Sequence, residues 1–272
     1  MIFDVHEIKV DGSTNGATLY SYILDNSLEE NVSDRPVVII CPGGGYEMTS
    51  DREGEVIAMQ FLAMGYHAAV LRYSVAPARF PVALCELGKA VLYLRENAEK
   101  WSISRDQFIM SGYSAGGHLA ASFGCFWDKD WYTKLLGVDR ETLRPNGMIL
   151  GYPVITSKEF AHHDSIKNLL GEAYEEKRDE MSLETQVTES FPQTFIWHTY
   201  EDGCVPPQNS MLLVEALMKQ HVQTEFHMFA RGGHGLSVAN RLSAIGDYGV
   251  EKNCQPWVEL VHTWVETFII GE

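Results

Sequence analysis

Short apolar runs alternate with stretches of helical spacing along most of this chain, and most runs stop at residues that cannot extend a strand. Val37-Val38-Ile39-Ile40 is β-branched throughout, the pattern of a strand buried on both faces of a parallel sheet. It stops at Cys41-Pro42-Gly43-Gly44-Gly45-Tyr46. Further strands are expected over 67–73, 108–111, 147–152, 194–198 and 224–229. Helical spacing fills the intervals over 53–64, 81–101, 116–126 and 209–220, and a closing helix is expected over 256–270. The first thirty or so residues alternate loosely, with turn signals at Gly12 and Gly16, and predict a hairpin at a sheet edge. Strands alternating with helices predict an α/β architecture, a mostly parallel central sheet with helices on both faces. In such sheets the loops at the carboxyl ends of the strands carry the site.

The 272 residues, 45% of them hydrophobic, suffice to bury roughly three quarters of the unfolded surface. No repeat or Pro/Ser-rich linker divides the chain, so one domain over 1–272 is expected, with 160–190, rich in Glu and Lys, as a small lid candidate. A formal net charge of −16 disfavours a general nucleic-acid or anionic-membrane binder, because the long-range field repels polyanions. Five scattered cysteines, with no C-x-x-C spacing, suggest reduced thiols rather than a disulfide framework. The first residues show no charged n-region followed by an apolar stretch, and no apolar run approaches membrane-spanning length. A cytoplasmic location is therefore expected.

After the run at 108–111 stands Gly112-Tyr113-Ser114-Ala115-Gly116-Gly117-His118, a match to G-x-S-x-G. A strand that turns at once into a helix forces the middle residue into a strained conformation, and small neighbours let the turn close. Ser114 Oγ would then stand above the sheet at a helix N-terminus, where the dipole favours developing negative charge. Upstream, Gly43-Gly44-Gly45 could be an ordinary turn, a phosphate loop or a set of oxyanion donors. A phosphate loop would need a following Lys, which is missing here. Two N–H groups of this loop with that of Ala115 would form an oxyanion hole. Among ten histidines, His118 lies one helical turn beyond Ser114 and suits a hydrogen-bonding strut. His162-His163-Asp164 is a weak metal pattern, and His198, near the end of a strand, suits local bonding. His234 differs: Arg231-Gly232-Gly233-His234-Gly235 follows the last strand and can bring an imidazole over Ser114. The orienting acid should follow a strand between the two, where Glu201 and Asp202 both stand. The order Ser, acid, His is the one found in α/β-hydrolases.

With these landmarks the chain resembles the esterase/lipase branch of the α/β-hydrolases, which includes hormone-sensitive-lipase-like and acetyl esterases. The resemblance runs from about Val37 to the C-terminus. It rests on Cys41-Pro42-Gly43-Gly44-Gly45-Tyr46, Leu71-Arg72-Tyr73-Ser74-Val75-Ala76-Pro77, the elbow at Ser114, His198-Thr199-Tyr200-Glu201-Asp202-Gly203-Cys204-Val205-Pro206 and Gly233-His234-Gly235. It implies an α/β-hydrolase fold with Ser114 as nucleophile and His234 as base. Asp202, four residues before Pro206, matches the family acid better than Glu201. Gly44, Gly45 and Ala115 match the oxyanion donors. The family's oxyanion loop often opens with His where this chain has Pro42, so the bonds of such a His are absent while the N–H donors remain. The chain is similar to bacterial acetyl esterases, acetyl-xylan esterases and sugar hydrolases.

The expected activity is thus a serine carboxylesterase acting on short-chain acyl esters, such as acetyl esters of a sugar or small alcohol, through an acyl-enzyme. A small-amide hydrolase, formamidase or peptidase-like, would use the same triad. A non-catalytic binding protein would be expected to show a damaged triad. Tyr46, Tyr113 and Trp127 are the candidate substrate-binding residues, the last within the aromatic run 126–132. No cofactor and no metal are expected. The expected partner is a small-molecule ester, with neither nucleic acid nor membrane, and a homo-oligomer is compatible with the sequence.

Overall fold

The structure, a computed structural model, describes residues 1–271 except 15, 28, 30 and 31. Eight strands form one sheet: β1 (Ile2–Glu7), β2 (Thr18–Ile23), β3 (Arg35–Cys41), β4 (His67–Arg72), β5 (Ile103–Tyr113), β6 (Gly147–Gly151), β7 (Thr194–Thr199) and β8 (Thr224–Phe229). Their order is β1-β2-β4-β3-β5-β6-β7-β8. The hairpin expected at the edge is β1 and β2, paired antiparallel; β2 also pairs antiparallel with β4, and every other pairing is parallel. Nine helices are described: α1 (Glu55–Ala63), α2 (Val82–Glu96), α3 (Ala98–Trp101), α4 (Ala115–Phe126), α5 (Asp130–Leu136), α6 (His163–Leu170), α7 (Tyr174–Lys177), α8 (Gln208–Lys219) and α9 (Trp257–Val265). None of the described helices is long and apolar enough to cross a membrane.

The period of two along each central strand divides the core. Val37, Ile39, Phe108, Met110, Met148, Leu150 and Ile196 join α2, α4 and α8 in one cluster. Val38, Ile40, Ile109, Tyr113, Ile149, Phe195 and Trp197 join α1 and α9 in the other. Helices thus cover both faces, which is why β3, β6 and β7 read as unbroken buried runs.

The strand expected over 108–111 is longer, Ile103–Tyr113, and two helix boundaries also depart from expectation. The helix expected over 81–101 is interrupted at Asn97, which caps α2 and α3 with φ −96° and ψ 4° while its side chain bonds the Tyr93 carbonyl. The closing helix leaves α-geometry after Val265 and ends in a π-turn over Glu266–Ile270.

From β3 the chain winds to β4 on one side, then returns to β5 on the other and proceeds outward to β8. The winding direction therefore reverses between β3 and β5, whose carboxyl ends carry the glycine loop and Ser114. That is where open α/β sheets place their ligands.

Candidate active site

Ser114 is the sharp turn itself, with φ 54° and ψ −123°, a region costly for any residue but glycine. Three backbone bonds hold it there: Ser114 N–H donates to Gly151 O, and its carbonyl accepts from His118 and Val154 N–H. The flanking glycines answer a close approach. A Cβ on Gly116 would lie 2.0 Å from Cys41 O, and one on Gly112 would lie 2.3 Å from Gly116 O. Ser114 is 8% exposed.

Ser114 Oγ stands 2.7 Å from His234 Nε2, and His234 Nδ1 stands 2.7 Å from Asp202 Oδ2. An ionised carboxylate only accepts, so Nδ1 carries the ring proton and Nε2 is free to accept from Ser114 O–H. The His234 loop is shaped by Gly232 at φ 119° and Gly235 at φ 69°. Tyr152 meets the His234 ring edge-on at 5.1 Å, and Tyr248 O–H donates to the His234 carbonyl.

Asp202 takes four donors. Oδ2 accepts from His234 and, at 3.2 Å, from His198 Nε2; Oδ1 accepts from the N–H groups of Cys204 and Val205. Burial alone would raise this carboxyl, but the hydrogen bonds from His198 and His234 outweigh it and hold it well below the usual carboxylate range. Glu201, the other candidate acid, is exposed and accepts instead from Gly232 N–H. His198 was expected to bond locally. It does, but onto the acid itself, with Ser210 Oγ and Val205 O as its other partners.

The glycine loop is fastened from several sides. Tyr73 O–H donates to Pro42 O, Gly43 N–H donates to Glu53 Oε2, and Asn168 Nδ2 donates to Gly45 O. Gly44 has φ 128° and Gly45 φ 66°, and a Cβ on Gly44 would lie 2.3 Å from Met48 O. Among the described residues no acceptor takes the N–H of Gly44, Gly45 or Ala115. Ala115 follows Ser114 directly, and the loop reaches Ser114 at Gly43, where a Cβ would lie 2.7 Å from Ser114 Cβ.

The other sequence candidates serve the scaffold. His118 accepts from Tyr46 O–H at Nδ1 and donates to Met181 O at Nε2, the strut expected of it. Burial lowers its imidazole to about 4, so it is neutral. Tyr46, Tyr113 and Trp127, the candidate substrate contacts, are all buried in the core, which corrects that expectation. Strand parity sends Tyr113 to the α1/α9 face beside Tyr152 and Trp257, Tyr46 is spent on His118, and Trp127 Nε1 donates to Ser190 O. His162 accepts from Ser165 N–H at the start of α6, and His163 pairs with Tyr174. The lid candidate 160–190 is anchored by buried Ile166, Leu169, Leu170, Met181 and Leu183, while its Glu- and Lys-rich turns face outward. Glu53, Tyr152 and His198 escaped sequence reasoning as site residues. Only His198 left a signal, its place at a strand end four residues before Asp202.

Fold and site together define an α/β-hydrolase with a serine–histidine–aspartate constellation at the sheet's switch point. The BD-FAE family model matches residues 24–217, which include Ser114, Asp202 and the glycine loop. Endo-1,4-beta-xylanase B of Butyrivibrio fibrisolvens is 36% identical over 231 residues, covering 82% of this chain and 35% of that protein. The acetyl ester-xyloside bifunctional hydrolase of Caldicellulosiruptor lactoaceticus superposes with a TM-score of 0.79 at 33% identity, covering 92% of this chain and 88% of that one. An α/β-hydrolase enzyme from a Medee basin deep-sea metagenome library gives 0.78 at 34% identity, with 98% of each chain covered. The chain spans between about a third and a half of the length of three curated relatives and about a fifth of a fourth. It belongs to the BD-FAE family of α/β-hydrolase esterases.

Proposed function

We propose that this chain is a serine carboxylesterase that cleaves short-chain acyl esters, with acetyl esters of a sugar or other small alcohol as its substrates. The observation that carries the reading is the unbroken chain of contacts from Ser114 Oγ through His234 to Asp202. His234 Nε2 takes the Ser114 proton as Oγ bonds to the ester carbonyl carbon. The carbonyl oxygen, now negative, is received by the N–H groups of Gly44, Gly45 and Ala115. When the tetrahedral intermediate collapses, the C–O bond to the alcohol breaks and His234 returns its proton to the leaving oxygen. Water then repeats the sequence on the acyl-enzyme and releases the acid. Asp202 stays ionised throughout, which suits a group held below the usual carboxylate range.

The sugar side of the proposal is supported by relatives named for an acetyl ester-xyloside hydrolase and for a xylanase. The test is a hydrolysis panel of nitrophenyl esters, acetylated xylo-oligosaccharides and formyl-kynurenine with purified protein. Release of acetate from the sugar with little formamide cleavage is expected. Ser114→Ala should lower turnover by about a millionfold, the loss typical when a triad nucleophile is removed, with the fold intact. Preference for the formamide would turn the reading toward small amides, and ordinary activity in Ser114→Ala would remove the nucleophile assignment.

A further inference from the structure

Glu53 is a carboxylate with 4% exposure beneath the glycine loop, and the reaction outlined above leaves it unused. Its Oε2 accepts from Gly43 N–H at 2.8 Å and its Oε1 from Tyr152 O–H at 2.7 Å. Among the described residues it makes no ion pair, and its two buried oxygens are satisfied by two neutral donors. A Cβ on Gly43 would lie 2.7 Å from both Glu53 Oε2 and Ser114 Cβ, which places the carboxylate beside the nucleophile. The Gly43 N–H is consumed by this bond, so it is not an oxyanion donor. Its bond instead fixes the peptide plane just before the Gly44 and Gly45 donors.

The other oxygen reaches the base. Tyr152 O–H donates to Glu53, its oxygen accepts from Ser237 N–H at 2.9 Å, and its ring abuts His234. Ser237 Oγ in turn donates to the carbonyl of Arg52, the residue before Glu53. A Cβ on Gly235 would lie 4.0 Å from Glu53 Oε1. One side chain thus joins the loop that receives the oxyanion to the loop that carries the base.

We infer that Glu53 is a positioning residue of the proposed esterase reaction, setting the oxyanion loop and the His234 loop in one register through Gly43 and Tyr152. The inference rests on the serine-esterase reading. Only an acceptor at both ends can do this. A glutamine keeps the shape but must turn its NH2 toward one of two donors. Its oxygen would stay on Gly43 N–H, because a backbone donor cannot rotate away, leaving the Tyr152 hydroxyl hydrogen without its acceptor.

Glu53→Gln should lower kcat on p-nitrophenyl acetate by about tenfold and Glu53→Ala by about a hundredfold, with KM little changed, as expected for small misplacements of catalytic groups. In a double-mutant cycle, Glu53→Gln with Tyr152→Phe should lose far less than the product of the two single losses, because both act through one contact. Wild-type kcat in Glu53→Gln, a loss confined to KM, or single losses that simply multiply would each overturn the inference while leaving the esterase reading standing. Hydrogen exchange provides a readout that needs no turnover. Peptides covering 235–243 should exchange faster in Glu53→Gln and in Tyr152→Phe than in wild type, peptides covering 42–48 should do so in Glu53→Ala, and unchanged exchange would overturn the linkage. Wild-type protein that hydrolyses no ester would instead sink the esterase reading, and with it the catalytic side of the inference.

Discussion

Replacing Asp202 by Asn changes one atom and tests the whole triad. In the native site Oδ1 receives the N–H groups of Cys204 and Val205 at 3.0 and 2.9 Å, while Oδ2 receives His234 and His198. An amide NH2 cannot face two backbone donors, so the Asn oxygen must keep the Oδ1 place and the NH2 must take that of Oδ2. There it donates to His234 Nδ1, which must give up its proton and leave it on Nε2. A protonated Nε2 faces Ser114 Oγ and cannot accept from it. His198 still has Val205 O at 3.0 Å, so the loop itself survives. The same change in a serine protease triad lowers kcat by about 10⁴, or about 5 kcal/mol of barrier, and a loss of that size is expected here. Glu201→Gln, altering an exposed side chain that accepts from Gly232 N–H, should leave kcat near wild type. Steady-state hydrolysis of p-nitrophenyl acetate at neutral pH measures both. Asp202→Asn retaining more than about a tenth of native kcat, against the 10⁴ loss of a mis-set tautomer, or the two variants exchanging their effects, would refute the reasoning. The same site predicts a pH dependence. The Asp202 carboxyl is held below its unfolded value of about 3.9. The stability it contributes is therefore present above about pH 4 and lost as pH falls through the folded value. The gap in denaturation midpoint between wild type and Asp202→Asn should be full at neutral pH and shrink below about pH 4.

Gly116→Ala should lower stability by about 3 kcal/mol or more, because the new Cβ would meet the Cys41 and Pro42 carbonyl oxygens at 2.0 and 2.4 Å; an unchanged Tm would contradict this. Cys204 is the exposed thiol, while Cys41, Cys85, Cys125 and Cys254 are buried and burial pushes all four up, Cys85 to about 11 and Cys254 to about 12. Iodoacetamide should therefore label native protein at Cys204 alone, as read by peptide mass, and comparable labelling of the buried four would refute the packing. Along a series of nitrophenyl esters, kcat/KM should peak between acetyl and butyryl and be negligible by about decanoyl. Asn168, bonded to Gly45 O, puts a polar side chain beside the oxyanion loop, and each methylene left outside forfeits roughly 0.8 kcal/mol of burial. A maximum at octanoyl or longer would overturn this.

What could be read from the sequence is what depends on neighbours along the chain. Val37 to Ile40 and Thr194 to His198 announced strands because both faces of a central strand are covered, leaving no polar alternation to blur them. Ser114 stood out because a strand-to-helix turn that presses Gly116 against Cys41 O and Gly112 against Gly116 O tolerates only hydrogen at those positions. His234 stood out because its glycines permit the backbone that swings it over Ser114. The failures have an equally local cause. Tyr113 adjoins the nucleophile in sequence, yet it is the last residue of β5 and its ring packs into the α1/α9 core, against Tyr152 and Trp257. In the aromatic run 126–132, which holds the substrate-binding candidate Trp127, the rings of Phe126, Trp127 and Tyr132 pack into the core while Trp131 is exposed. Glu53 gave no signal at all. It stands at the start of a stretch with helical spacing, where an acidic residue suits the helix dipole and invites no further explanation. Its partners lie 10 and 99 residues away, and neither Gly43 nor Tyr152 has a side-chain pattern that asks for a carboxylate. A group whose function is to hold two distant loops together is defined by the fold's tertiary contacts alone, so it becomes visible only when those loops are seen to meet.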